Sequence, residues 1–121
     1  MSDSEIRPLA PDELDATTAI LDVRRHAGGH QIRGATRYDA RLLLDAPKLA
    51  LPLSHEAPIA VYGDSDETVA RVVERLRRDG YTGAAPLAGG FLGWRDSGRP
   101  VEALTQEQPI PGEPGAGMQR L

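Results

Sequence analysis

Between Pro58 and Tyr81 the apolar residues change their period, and that change constrains the fold more than any other feature of the chain. Pro58-Ile59-Ala60-Val61-Tyr62 is a short unbroken apolar run opening on proline, which suits the first residue of a buried strand. Past a polar loop, Val69, Val72, Val73 and Leu76 fall at i, i+3, i+4 and i+7 and form one apolar stripe of a helix. Glu67/Arg71 and Glu74/Arg78 stand four apart on its polar side. Arg75, Arg77 and Arg78 occupy the last turn, where cations suit the helix dipole, and Gly80 supplies the left-handed residue that ends the helix. The segment is therefore strand, tight loop, helix.

The rest of the chain repeats that alternation. Ile6 to Leu9 reads as a short edge strand, and Pro11-Asp12-Glu13-Leu14 places proline and two acids at a helix start. Thr18 to Val23 is the next strand; Gly28, Gly29 and Gly34 mark a loop, Ala35 to Tyr38 a short strand, and Ala40 to Leu44 a helical turn stopped by Pro47. The helix Glu67 to Asp79 crosses to a strand at Ala84 to Leu87, and Phe91 to Asp96 makes a last short helix. Alternation with short crossovers predicts an α/β domain with a mostly parallel five-stranded sheet and helices on both faces. Trp94, Tyr81 and Phe91 are expected in its core, since the chain is only 4% aromatic.

From Thr105 onward the composition shifts, with Pro109, Pro111 and Pro114 interleaved with Gly112, Gly115 and Gly117. Such a stretch favours extended chain, so the sequence divides into a domain at 5–103 and a Pro/Gly-rich tail at 104–121.

The loop Gly63-Asp64-Ser65-Asp66-Glu67-Thr68 is where chemistry is to be sought, because backbone amides converge at the start of the following helix. Its acids read first as a helix start: Asp64 or Ser65 as N-cap, Glu67 as the capping-box partner of Asp64, and carboxylates satisfying first-turn amides. Asp64, Asp66 and Glu67 also oppose anions, each by roughly 2 to 3 kcal/mol at ~6 Å and an effective dielectric of ~20, less in salt water. Ser65 has no base placed in sequence to activate it as a nucleophile. His26, His30 and His55 lack metal-ligand spacing, so no metal and no cofactor are expected.

Three motifs in order resemble the rhodanese family. Leu21-Asp22-Val23-Arg24 followed by Ile32-Arg33-Gly34-Ala35 is similar to the family's Asp-Val-Arg strand end and its Gly-His-Ile-Pro-Gly-Ala turn, with Gln31 standing for the histidine and Arg33 for the proline. Gly80-Tyr81, then Leu87-Ala88-Gly89-Gly90-Phe91-Leu92-Gly93-Trp94 and Gly98-Arg99-Pro100-Val101, resembles the closing motif. The family's active loop follows a buried strand, begins with Cys, carries Gly and Arg, and opens a helix. Matching strand to strand and helix to helix puts Gly63 at the cysteine position, Asp66 at the glycine position and Thr68 at the arginine position. The resemblance implies a single rhodanese-like domain, while sulfur transfer of that kind needs a thiolate, and the chain has no cysteine. The expectation is a catalytically inactive domain that serves as a binding or regulatory module, with the loop Gly63 to Thr68 as its vestigial site and no catalytic residue.

Two alternatives stand beside it. Asp64-Ser65-Asp66-Glu67-Thr68 also resembles the Asp-x-Asp-x-Thr loop of haloacid-dehalogenase-like phosphatases, where the first Asp is nucleophile, the second general acid, and Mg²⁺ bridges to phosphate. Against it, that motif opens its own domain, and the only lysine here, Lys48, precedes the loop instead of following it. The other alternative is a structural or oligomerisation domain.

Net charge is −4, which argues against nucleic acid as a partner. The segment holding Arg24, Arg25, Arg33, Arg37 and Arg41 is locally basic, and a protein partner is expected either there or at the vestigial loop. The start Met1-Ser2-Asp3-Ser4-Glu5 is polar and acidic, and Leu42 to Leu53 is broken by Asp45, Pro47 and Lys48, so neither a signal peptide nor a membrane span is expected. A cytoplasmic location is the corresponding expectation.

Overall fold

The structure is a computed structural model that describes residues 6–110. Ala19–Asp22 (β1), Thr36–Arg37 (β3), Ile59–Tyr62 (β4) and Ala84–Pro86 (β5) form a parallel sheet in the order β3-β1-β4-β5. His30–Ile32 (β2) and Val101–Ala103 (β6) pair antiparallel in a separate two-stranded sheet. The helices are Ala40–Asp45 (α1), Asp66–Arg78 (α2) and Gly90–Asp96 (α3).

The α/β fold with a parallel sheet agrees with the sequence reading; the count of five strands in one sheet does not. Four strands form that sheet, because Ile6 to Leu9 contributes only an isolated bridge from Leu9 to Leu87. Pro8 has no N–H to give to a ladder, and Pro11 turns the chain away into a 3₁₀ turn at Pro11–Glu13. That turn is closed by Glu13, whose carboxylate accepts the Ala10 amide at 2.7 Å.

Strand alternation sorts the core onto two faces. Leu21, Val23, Ile59 and Val61 point to one side, where α1 and α2 bring Leu43, Val69, Val72, Val73 and Leu76. Ala60 and Tyr62 point to the other, against Trp94 of α3, Ile32 and Leu87. The period-3.6 stripe read from the sequence is thus the buried face of α2, and each fully buried Val or Leu contributes on the order of 1.5–3 kcal/mol. Trp94 and Tyr81 are core residues as expected, whereas Phe91 is only partly buried.

Helix ends are secured by specific groups. Asp39 caps α1 by accepting the Arg41 amide at 2.8 Å. Gly80 has φ +101 and lets Tyr81 donate back to Leu76 O at 2.9 Å, which closes α2. Arg75 does more than favour the α2 dipole: its buried guanidinium donates to the carbonyls of Leu43, Leu44 and Ala46 at the end of α1. Its Nε meets Asp79 at 3.2 Å, and Asp79 in turn accepts the Leu49 amide at 3.0 Å.

Packing does not stop at Ala103. Thr105 donates its backbone amide and its hydroxyl to Gln31 Oε1, Gln108 donates to Arg37 O at 2.7 Å, and Ile110 is buried in the α1/α2 core. The stretch 104–110, the first part of the compositional tail at 104–121, therefore packs on the folded body. Composition pointed to extended chain, and this chain is extended, but along the outer edge of β3, where it bridges Arg37 to Glu107. The rest of the tail assignment, 111–121, lies outside the described residues. Among the described residues no helix is long and apolar enough to cross a membrane.

Candidate functional site

β4 delivers Tyr62 to the carboxyl end of the sheet, and α2 begins at Asp66, so Gly63, Asp64 and Ser65 make the bend between them. Ser65 is the N-cap: its hydroxyl accepts the Thr68 amide at 3.2 Å. Asp64 is not the cap. Its carboxylate reaches away from α2 and accepts the backbone amides of Arg25 at 2.6 Å and His26 at 3.3 Å, which fastens the loop after β1 to the loop after β4. Glu67 forms no capping box either, because its carboxylate pairs with Arg71 at 3.2 Å. The cause is non-local for Asp64, whose carboxylate is drawn to a loop neighbour 39 residues away in sequence, and local for Glu67, which pairs within α2.

Gly63 has little room beside it. A Cβ there would lie 3.0 Å from a Val23 methyl and 3.1 Å from a Val69 methyl, tighter than ordinary contact. On its open side lies a cleft of about 780 Å³ at the carboxyl ends of β4 and β5, where open α/β sheets hold their ligands. Its walls include Pro8, Leu87, Phe91 and Leu92, and its rim carries Asp64 and Asp66, both exposed. Four of the six loop residues singled out from the sequence, Gly63, Asp64, Ser65 and Asp66, line this cleft, and Glu67 and Thr68 do not.

Beneath the cleft is a buried ionic network. Asp22, fully buried, accepts from Arg24 Nη2 at 2.7 Å and from the Tyr62 hydroxyl at 2.9 Å, with Arg37 Nε at 3.8 Å. Burial disfavours the charge on Arg24, but the hydrogen bonds and charge of Asp22 outweigh it and hold its pKa above the ordinary value. Burial, reinforced by the Asp22 charge, pushes the Tyr62 phenol well above its ordinary range, so it stays protonated as a donor to Asp22 while accepting the Ile32 amide at 3.0 Å. The guanidinium of Arg24 lies 4.4 Å from the Phe91 ring centroid, a cation–π contact that joins this network to the cleft wall.

The basic segment read from the sequence is not one surface. Arg24 and Arg37 are buried on Asp22, and only Arg25, Arg33 and Arg41 are exposed. Periodicity could not show this, since a buried arginine and a solvated one look alike in a loop. Gln31 was likewise noted only as a departure from histidine. It is fully buried, donating to Ala35 O at 3.0 Å and Glu102 at 2.8 Å while accepting from Thr105.

Polar groups of the cleft include Asp64, Ser65, Asp66 and His26. It has no thiol, the Ser65 hydroxyl is engaged at the helix start, and the Asp64 carboxylate is held by two amides. Among the described residues no group of three or more His, Asp or Glu side chains is arranged to hold a metal ion.

Comparison with known proteins agrees with the geometry. The family model described as the rhodanese-like domain matches residues 9–97. No curated protein matches the sequence. Among solved structures, the Alr3790 protein from Anabaena sp. is similar at 30% identity and a TM-score of 0.64, over 76% of this chain and 82% of that one. A full-length protein from Lactobacillus plantarum is similar at 27% identity and a TM-score of 0.62, over 73% of this chain and 74% of that one. A thiosulfate sulfurtransferase from Pseudomonas aeruginosa is similar at 30% identity and a TM-score of 0.54, over 69% of this chain and 16% of that one. With its parallel sheet, its strand-to-helix bend at Gly63 and a family match across most of its length, the chain belongs to the rhodanese-like domain family and lacks the family's cysteine.

Proposed function

We propose that this domain transfers no sulfur and works as a binding module through the cleft beside Gly63. The observation that carries the reading is the state of that position. Gly63 stands at the bend where the resemblance places the reactive thiol, Val23 and Val69 crowd the space a side chain would take, and the adjoining cleft of about 780 Å³ stays open. A cleft of that volume falls in the range of small-molecule and peptide sites. Thiosulfate is the substrate named for the Pseudomonas aeruginosa relative; here its entry would face Asp64 and Asp66.

The phosphatase-like alternative has no support in the geometry, because its nucleophile would be Asp64, whose carboxylate is turned into the amides of Arg25 and His26. A structural or oligomerisation role gives no account of an open cleft at the carboxyl end of the sheet.

The test compares the native chain with Leu92→Arg, a change at an exposed position on the cleft wall. Proteins recovered by the native chain and lost with the variant support the module. Identical recovery by both, or measurable thiosulfate sulfurtransferase turnover by the native chain, refutes it.

A further inference from the structure

The cleft's own chemistry selects what it can hold, given the reading that it is a binding site. Among the described residues, the exposed ionisable side chains that line it are Asp64, Asp66 and His26, and the carboxylates carry its charge at neutral pH when the imidazole is neutral. Arg24, the one arginine or lysine that lines it among the described residues, is already committed to Asp22 and His30 O. The entrance is therefore acidic, and an anionic occupant is disfavoured. Arg24 nevertheless keeps one unused donor. Its side chain is 8% exposed, and Nη1 has no acceptor among the described residues, while Nε and Nη2 are taken. The guanidinium lies against Phe91, and both residues line the cleft, so this donor suits a neutral carbonyl of an occupant. Leu92 adds an apolar contact: it is 60% exposed, one of two exposed large hydrophobic residues among the described residues, and it stands on the cleft wall.

We propose that the occupant is a basic peptide segment of a partner protein. A lysine or arginine side chain meets Asp64 and Asp66, a neighbouring apolar side chain packs on Leu92, and a backbone carbonyl accepts from Arg24 Nη1. The acids, the unused donor and the exposed leucine are each matched by a different part of such a segment, whereas a small amine uses the acids alone.

The experiment is a titration of the full ¹⁵N-labelled chain, followed by amide chemical shifts, with the acetylated and amidated pentapeptide Gly-Leu-Lys-Leu-Gly, its Gly-Leu-Glu-Leu-Gly counterpart, and spermidine. The lysine peptide is expected to shift amides of 63–66 and 87–92 saturably and more tightly than the other two probes. Asp66 accepts no hydrogen bond from another described residue, so Asp66→Asn keeps the fold; it is expected to weaken the lysine peptide about two- to fivefold, the range of an exposed ion pair. Equal or tighter binding of the glutamate peptide in the cleft overturns the basic occupant while leaving the binding module intact. Spermidine binding as tightly as the lysine peptide overturns the peptide occupant, and the absence of cleft shifts with any probe overturns the proposal. The module reading fails separately, by identical protein recovery with Leu92→Arg.

Discussion

Asp64 Oδ2 accepts the backbone N–H of Arg25 at 2.6 Å, so one carboxylate joins two loops that lie 39 residues apart in sequence. Asp66, two positions on, accepts nothing from a described residue, although the two acids look equivalent in the sequence. Replacing Asp64 by alanine is expected to cost about 1–2 kcal/mol, the scale of a charge-assisted hydrogen bond at an exposed site. Asp66→Ala is expected to stay within about 0.5 kcal/mol of native. Urea denaturation of the two variants checks the difference, and equal losses would contradict the assignment.

Arg75 is expected to be the most sensitive charged position in α2. Its buried guanidinium serves three carbonyls at the end of α1 together with the partly buried Asp79. Arg75→Met removes the charge, leaves the three carbonyls without this donor and leaves Asp79 with the Leu49 amide but without its cation, at a cost of about 3–5 kcal/mol. Arg75→Lys is expected to recover only part of this, because one ammonium cannot reproduce the planar fork. Denaturant midpoints of both variants measure the effect.

Asp79 gives the fold a defined acid sensitivity. Burial alone would raise its pKa, yet the hydrogen bond from the Leu49 amide and the charge and hydrogen bond of Arg75 bring it below the ordinary carboxylate value of 3.8. A carboxylate whose folded pKa is depressed binds protons more tightly in the unfolded chain. Its stabilisation is therefore present above pH 3.8 and is lost as pH falls below that and through the folded value. Asp79→Asn is expected to be less stable than native at neutral pH, with the gap closing below about pH 4. Urea midpoints recorded from pH 7 down to pH 3 check this, and a gap that does not change with pH would refute it.

Restoring the thiol is not expected to restore chemistry. In Gly63→Cys the new Cβ meets the methyls of Val23 and Val69 at 3.0 and 3.1 Å, an overpacking that costs about 1–3 kcal/mol. The sulfur would then stand beside Asp64 and Asp66, which oppose both the thiolate and an anionic donor. No transfer of sulfur from thiosulfate to cyanide above background is the expected outcome, and substantial turnover in that single variant would show the electrostatic argument to be wrong.

The frame of the fold was legible because β4 is buried on both faces and so reads as an unbroken apolar run, while α2 buries one patterned face; Ile59 to Tyr62 and the stripe Val69 to Leu76 could be read from the sequence alone. The bend at Gly63 followed from them. What spacing could not carry were pairings decided at a distance. Asp64 is drawn off the helix start by the Arg25 amide, and Arg24 and Arg37 are drawn inside by Asp22. The short pairing of β2 with β6, three residues each, offers too little length for a period to show.

Both edges of the four-stranded sheet are already engaged by the chain itself. On the β3 side Gln108 donates to Arg37 O, and on the β5 side Leu9 donates to Pro86 O at 2.8 Å while Arg77 Nε donates to Ala84 O. An incoming strand thus meets backbone that is already paired, so recognition by sheet extension is closed to this sheet, and the same self-sealing guards it against edge-to-edge association with other copies.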